Sequence, residues 1–202
     1  RPRAWVAPGG RSVPPARWGA HAARGRGLRG DGRKVATGVG KRTIEGRLRV
    51  APLGIEGDEQ ADLSVHGGLG KAAYAYPREH YPFWETVRAQ FGVAPWGHEL
   101  PFGALGENLT LAGVLESDVW IGDLLRFPDC TLAVSEPRFP CFKLNAALGF
   151  KHAAKAMVAQ GWCGFYLAVR VPGTICGGET FELVPGPREI GIPELFRARM
   201  RG

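Results

Sequence analysis

Residues 119–135 read VWIGDLLRFPDCTLAVS, two apolar runs joined at a Pro-Asp pair. Apolar and polar positions alternate within each run, the period of a strand with one buried face, and Pro128-Asp129 is a turn signal. The spacing predicts strands over 119–127 and 130–135. Outward from there the alternation recurs in LRVAPL (48–53), KAAYAY (71–76), GFYLAVRV (164–171) and TFELV (180–184), with Gly-rich or Pro-rich joints between most of them. Two stretches carry helical spacing instead. EHYPFWETVRAQFG (79–92) has Pro82 where a first turn tolerates it and Gly92 as a stop, and the alanine-rich GFKHAAKAMVAQG (149–161) is stopped by Gly161. Strands that dominate, with helices intervening singly, predict a mainly β fold: a barrel or strongly bent sheet with a few peripheral helices.

The chain has 202 residues, enough for one domain, or one domain and an extension, that needs no disulfide staple. Its net charge of +7 suggests a nucleic-acid partner until the charge is located. Residues 1–33 hold eight arginines and a single acid, Asp31, leaving 18 basic and 18 acidic residues in 34–202. The basic character belongs to the tail, and the body gives no reason to expect nucleic acid. That tail is rich in Arg, Gly and Pro, lacks the apolar core of a secretion signal, and is expected to be a disordered or non-native extension. No run of about 18 apolar residues predicts a membrane span. The four cysteines (Cys130, Cys141, Cys163, Cys176) contain no CxxC pair and match no zinc spacing. Reduced thiols in a cytoplasm are the expectation.

Three stretches carry candidate chemistry. EPRFPCFKLN (136–145) sets Cys141 between Arg138 and Lys143, downstream of two prolines that predict a stiff loop. In an extended loop Lys143 projects on the side of Cys141, and positive charge favours the reactive thiolate. Spacing alone nevertheless favours a buried cysteine acting as a small hydrophobe. GIEGDEQADLSVHGG (54–68) gathers Glu56, Asp58, Glu59, Asp62 and His66, with Gly67 and Gly68 offering close backbone approach and N–H groups to an anion. The spacings match no metal template, and a polar turn-rich loop explains them equally well. GEN at 106–108 offers Glu107 as a general acid or orienting group and Asn108 as a reader of a ligand edge, although a plain turn accounts for it too. No GxGxxG or GxxxxGK[ST] run is present.

Taken in order, G-x-E-G-D-x-x-A-D-x-x-x-H-G-G, Y-P-R-E-H-Y, G-E-N-L, I-G-D and P-R-x-P-C-x-K-L-N resemble the MOSC family, named for the C-terminal domain of molybdenum-cofactor sulfurases. The chain looks most like the bacterial single-chain branch that reduces N-hydroxylated compounds. The match covers about 34–190, with 191–202 resembling the truncated start of a C-terminal helical segment. The resemblance implies a MOSC-type β-barrel and a molybdenum pyranopterin cofactor, with Cys141 as the thiolate ligand to the metal. Arg138 and Lys143 are implied partners of the pterin phosphate or the thiolate. His66 and Glu107 become catalytic candidates, Gly67, Gly68 and Asn108 cofactor-binding ones, and Tyr76, Asn145, Arg78 and His80 weaker ones.

The implied reaction removes oxygen from hydroxylamino-purines, amidoximes or hydroxylamines, with His66 or a water held by Glu107 as the acid. Without a flavin, haem or iron–sulfur motif, the electrons come from a separate donor protein or small reductant. A homodimer is compatible with the resemblance. Two other classes compete: a sulfur carrier or adaptor with a persulfide on Cys141, and an anion or nucleic-acid binding module built on the arginine tail.

Overall fold

A computed structural model describes residues 46–56, 58 and 68–201, together with the backbone of four strands nearer the N-terminus. Those four are β1 (Trp18–Ala22), β2 (Leu28–Gly30), β3 (Arg33–Val35) and β4 (Arg42–Thr43). They are followed by β5 (Arg47–Ala51), β6 (Gly54–Ile55), β7 (Ala73–Pro77), β8 (Leu109–Leu111), β9 (Leu124–Arg126), β10 (Thr131–Pro137), β11 (Phe165–Val171), β12 (Gly173–Cys176) and β13 (Glu182–Val184). Helices α1 (Tyr81–Gln90), α2 (Phe142–Leu148), α3 (Ala153–Gln160) and α4 (Ile192–Met200) lie between and after them.

The main sheet runs β13-β9-β10-β11-β7-β8-β1-β4, and β13 through β8 curl into a half-barrel. Its pairs are antiparallel except β7 with β8. The fold is therefore mainly β with peripheral helices, as the alternation predicts. Trp18–Ala22, inside the stretch set aside as an extension, pairs with β8 through Trp18–Leu111 and Ala20–Leu109. A smaller sheet, β12-β5-β6, alternates cleanly: Leu48 and Val50 are buried while Arg47 and Arg49 face solvent.

The core is continuous. Strand β7 is buried along its whole length, and Leu109, Leu111, Leu125, Leu132, Phe165 and Leu167 pack with it and with Trp84 of α1. Helix α4 closes one side through Ile192 and Phe196.

Three local expectations change. The predicted strand 119–127 is broken, because Gly122 takes φ 91° and the buried Asp123 carboxylate accepts from the Trp120 and Gly186 amides, so only 124–126 joins the sheet. Residues 142–145, expected in a stiff extended loop, belong to a helix over 142–148. Pro137 and Pro140 fall before the helix, which Gly149 ends at φ 80°. The helix predicted over 149–161 accordingly starts at Ala153.

Candidate active site around Cys141

Strand β10 delivers the cysteine loop. It ends at Pro137, the Arg138 amide then donates to the Gly164 carbonyl at 3.4 Å, and Cys141 precedes the first residue of α2 with extended backbone (φ −125°, ψ 173°). The Cys141 carbonyl accepts from the Leu144 amide at 3.0 Å, which fixes the loop to the helix. Phe139 stacks on Phe196 of α4 with ring centroids 6.0 Å apart. The Cys141 side chain is half-buried, so it is neither core nor free surface.

The charge beside it is Arg138, 5% exposed. Its Nη1 donates to the Leu105 carbonyl at 3.0 Å and approaches the Tyr74 hydroxyl at 3.5 Å, with the guanidinium over the Tyr74 ring at 4.7 Å. Burial alone would depress its pKa, but the Tyr74 and Tyr166 oxygens and the Cys141 sulfur outweigh that and hold it above the ordinary arginine value. Among the described residues no carboxylate pairs with it. A buried cation balanced, among the described residues, by dipoles and ring faces is suited to an anionic ligand. Tyr166 of β11 stands next to it, across the sheet from Glu136 of β10 and Tyr74 of β7. Lys71 closes the rim, 3.5 Å from Glu136 and over the Tyr166 ring at 5.6 Å. Tyr166 and Lys71 lay in stretches read only as strands; a polar side chain on the same sheet face as the cysteine strand was the signal available.

The remaining candidates occupy varied places. Glu107 is fully buried. Its carboxylate accepts from the Tyr81 hydroxyl, the Gly103 amide (2.9 Å), the Leu105 amide (3.0 Å) and the Thr110 hydroxyl (3.0 Å). Burial raises its pKa and these donors oppose the rise. The carboxylate shapes the 103–110 turn, and through Leu105 it sets the carbonyl that Arg138 uses. Asn108 joins β7 by accepting from the Tyr74 amide at 2.9 Å, and donates to Asp58 at 2.5 Å. Tyr76 is wholly buried between the Trp84 indole and the Trp162 carbonyl. Asn145 accepts from the Ala154 amide at 2.9 Å and holds α3 to α2.

Lys143 is two residues into the helical start from Cys141, so the shared side predicted for an extended loop does not apply. Gly68 has φ 98°, which a side chain rarely adopts, and starts the turn that carries Lys71. His66 and Gly67 lie outside the described residues. Buried His80 bonds Glu116 at 2.8 Å and stacks on Trp162, while exposed Arg78 covers Phe102.

Among the described residues no three His, Cys, Asp or Glu side chains converge on a metal position. A metal that needs several protein ligands therefore does not fit these residues. A molybdenum pyranopterin, which brings its own dithiolene sulfurs and a phosphate, asks for one soft protein donor and a nearby cation. Half-buried Cys141 and Arg138, beside which no described carboxylate stands, meet that requirement.

Solved structures similar to the chain share this fold. YiiM from Geobacillus stearothermophilus superposes with a TM-score of 0.71 at 28% identity, covering 92% of this chain and 84% of that one. YiiM from Escherichia coli gives 0.64 at 28% identity, covering 90% and 75%. Among curated proteins, YflK of Bacillus subtilis is 41% identical over 84% of this chain and 73% of its own length. A Gibberella moniliformis protein called a reductase is 34% identical over 83% of this chain, which spans only 30% of that protein. The profile of the MOSC domain matches residues 62–182, and the chain belongs to the MOSC domain family.

Proposed function

We propose that the chain is an oxidoreductase that removes oxygen from N-hydroxylated compounds, with a molybdenum pyranopterin held at Cys141. The observation that carries this reading is the half-buried Cys141 thiol beside a buried guanidinium that no described carboxylate neutralises. Family membership and the reductase relative support it. The reaction is R–NH–OH + 2 e⁻ + 2 H⁺ → R–NH2 + H2O, the electrons coming from a separate donor protein or small reductant. When bound, the cofactor supplies the two-electron couple at the N–O bond.

The chain's own residues do the rest. Cys141 anchors through its sulfur, kept in place by the Leu144 amide on its carbonyl and by the Phe139–Phe196 stack. Arg138, held by the Leu105 carbonyl, offers its charge to the phosphate or to the thiolate. Lys143 adds charge from the first turn of α2, and Gly67 and Gly68 offer backbone approach. His66 donates the proton that the departing oxygen needs. With all four donors already on its oxygens, Glu107 acts by positioning rather than by proton transfer.

Metal and pterin analysis of freshly purified protein, with an assay on a hydroxylamino-purine, tests the reading. Wild type should carry molybdenum and a pterin that fluoresces on oxidation. Cys141→Ser should lose most of the metal and at least about 100-fold of the turnover, while Cys176→Ser retains both. Full loading and undiminished turnover in Cys141→Ser would overturn it. So would a metal-free wild type with cyanide-releasable sulfur, which would assign a sulfur carrier instead.

A further inference from the structure

The segment Trp162–Gly164 enters β11 with three successive backbone groups held by buried side chains. The Tyr76 hydroxyl donates to the Trp162 carbonyl at 3.2 Å, the Tyr74 hydroxyl donates to the Cys163 carbonyl at 2.9 Å, and the Gly164 amide donates to Glu116 Oε1 at 2.7 Å. Glu116 opens the 3-10 turn Glu116–Asp118, is 3% exposed, and has His80 Nε2 2.8 Å from its other oxygen. His80 is itself fixed by stacking on Trp162, with ring centroids 4.4 Å apart and planes 6° from parallel. Gly164 passes the constraint on. Its carbonyl accepts from the Arg138 amide at 3.4 Å, and Pro137 and Phe165 face each other in the β10–β11 ladder. A buried acid–imidazole pair often adds no stability over apolar residues of the same volume. What it adds here is a fixed acceptor at one point of the chain, beside the backbone that carries Arg138 and, three residues on, Cys141.

We infer that Glu116 is a positioning residue for the Cys141 loop: its carboxylate, oriented by His80, holds the Gly164 amide and through the Gly164 carbonyl sets the backbone of Arg138 and of the cysteine beyond it. The effect on turnover rests on the reductase reading; the relay itself rests on bonds within the chain. With both oxygens buried and taken, Glu116 acts through Gly164 and not by contact with a ligand. Glu116→Gln would keep an acceptor for the Gly164 amide, whereas Glu116→Leu would leave that amide buried without a partner. Glycine at φ 63° has many other conformations open to it, so once released it is free to turn its carbonyl away. The long 3.4 Å bond to the Arg138 amide is then the contact that yields first.

Amide hydrogen exchange of the full chain, read residue by residue by NMR, tests the relay independently of turnover. The reference is the Val134 amide, on the same strand as Pro137 and bonded to the Asp123 carbonyl at 2.8 Å. In Glu116→Leu the Gly164 and Arg138 amides should speed up at least about tenfold more than Val134 does. In Glu116→Gln both should stay within about threefold of wild type. His80→Phe keeps a ring on Trp162 but removes the carboxylate's orienting partner; it should raise the same two amides about threefold, a measurement that remains if Glu116→Leu does not fold. In the holoenzyme, turnover per bound molybdenum should fall roughly tenfold in Glu116→Leu, with KM for a hydroxylamino-purine within about twofold, and Glu116→Gln should restore it. Faster exchange at Gly164 with Arg138 unchanged would overturn the inference, because the carboxylate would then serve its own amide alone. So would full turnover per molybdenum with the Arg138 amide released, or Glu116→Gln as impaired as Glu116→Leu. If the wild type reduces no N-hydroxylated compound, the reductase reading itself fails, while exchange at Arg138 still decides the relay.

Discussion

At the scale of single residues, the four thiols show how environment sets chemistry. Cys130 and Cys163 are buried, whereas Cys141 and Cys176 are half-exposed. Burial, with help from Glu179 and Asp129, pushes the Cys130 thiol up to about 12 from the ordinary 9.0. A folded value above the unfolded one means that the neutral thiol's contribution to stability is complete below pH 9.0. It is lost as pH rises toward about 12. In that window Cys130→Ala should reduce the alkaline fall in unfolding free energy by at most about 1.4 kcal/mol per pH unit, read from urea titrations of variant and wild type. Identical slopes would assign the fall to the buried tyrosines and to Cys163. In folded protein freed of cofactor an aromatic disulfide reagent should modify Cys141 and Cys176 quickly, and the other two only after unfolding. Composition and spacing could not separate these four; only the order of motifs singled out Cys141. All sit near strands and glycines, and whether a side chain meets hydrocarbon or a rim depends on partners far along the chain.

Elements were more legible than side chains, and the exceptions share a cause. The runs of apolar residues found β5, β7, β10, β11 and β13, with clean one-face burial in β5 and burial on both faces in β7. They missed α2, since seven helical residues between two prolines and a glycine are too short to show a period. They missed β12, which begins at Gly173, where any Cβ would strike the Asp129 backbone. They joined 119–127 into one strand because a pattern of apolar residues does not register a glycine at positive φ.

Gly164 combines a positive φ with crowding from three sides. Its φ is 63°, its amide donates to Glu116 at 2.7 Å, and its carbonyl receives the Arg138 amide. A Cβ there would fall on the Ala75 carbonyl and within 2.8 Å of the Tyr74 ring and 2.9 Å of the Tyr76 ring. Gly164→Ala should cost roughly 3 kcal/mol or more, since backbone strain and overpacking add. It should lower the thermal midpoint by several degrees, whereas Gly161→Ala, with open space around it, should show only the smaller strain cost. Equal shifts in the two variants would mean that β7 and β11 part easily.

For the whole molecule, the half-barrel and helix α4 both brace the short loop that carries Cys141, through the Arg138–Gly164 bond and the Phe139–Phe196 stack. Net charge told nothing of that bracing, because the excess lies in the first 33 residues and not in the body. The candidate site was half legible: the order of motifs pointed to Cys141 and Arg138, while Tyr166 and Lys71 join them only once β7, β11 and β10 lie side by side.

Helix α4 belongs to the same arrangement. Phe196 is 1% exposed and stacks on Phe139, Arg199 lies over the other ring at 5.7 Å, and Phe139 is two residues from Cys141. Phe196→Ala should therefore act twice. Loss of a buried aromatic costs about 3–5 kcal/mol, which urea unfolding measures directly. Below the unfolding transition, the freed Phe139 should let the cysteine loop move, so that, on the reductase reading, bound metal leaves with its pterin several times faster than from wild type. A buried phenylalanine at the opposite end of β10 from that loop, Phe127, is the control: Phe127→Ala should destabilise by a similar amount through its packing on Phe181 and the β9–β10 turn. If both variants shed metal at one rate when compared at equal stability, α4 contributes only to the core. If Phe196→Ala sheds it faster, the helix holds the thiol in register.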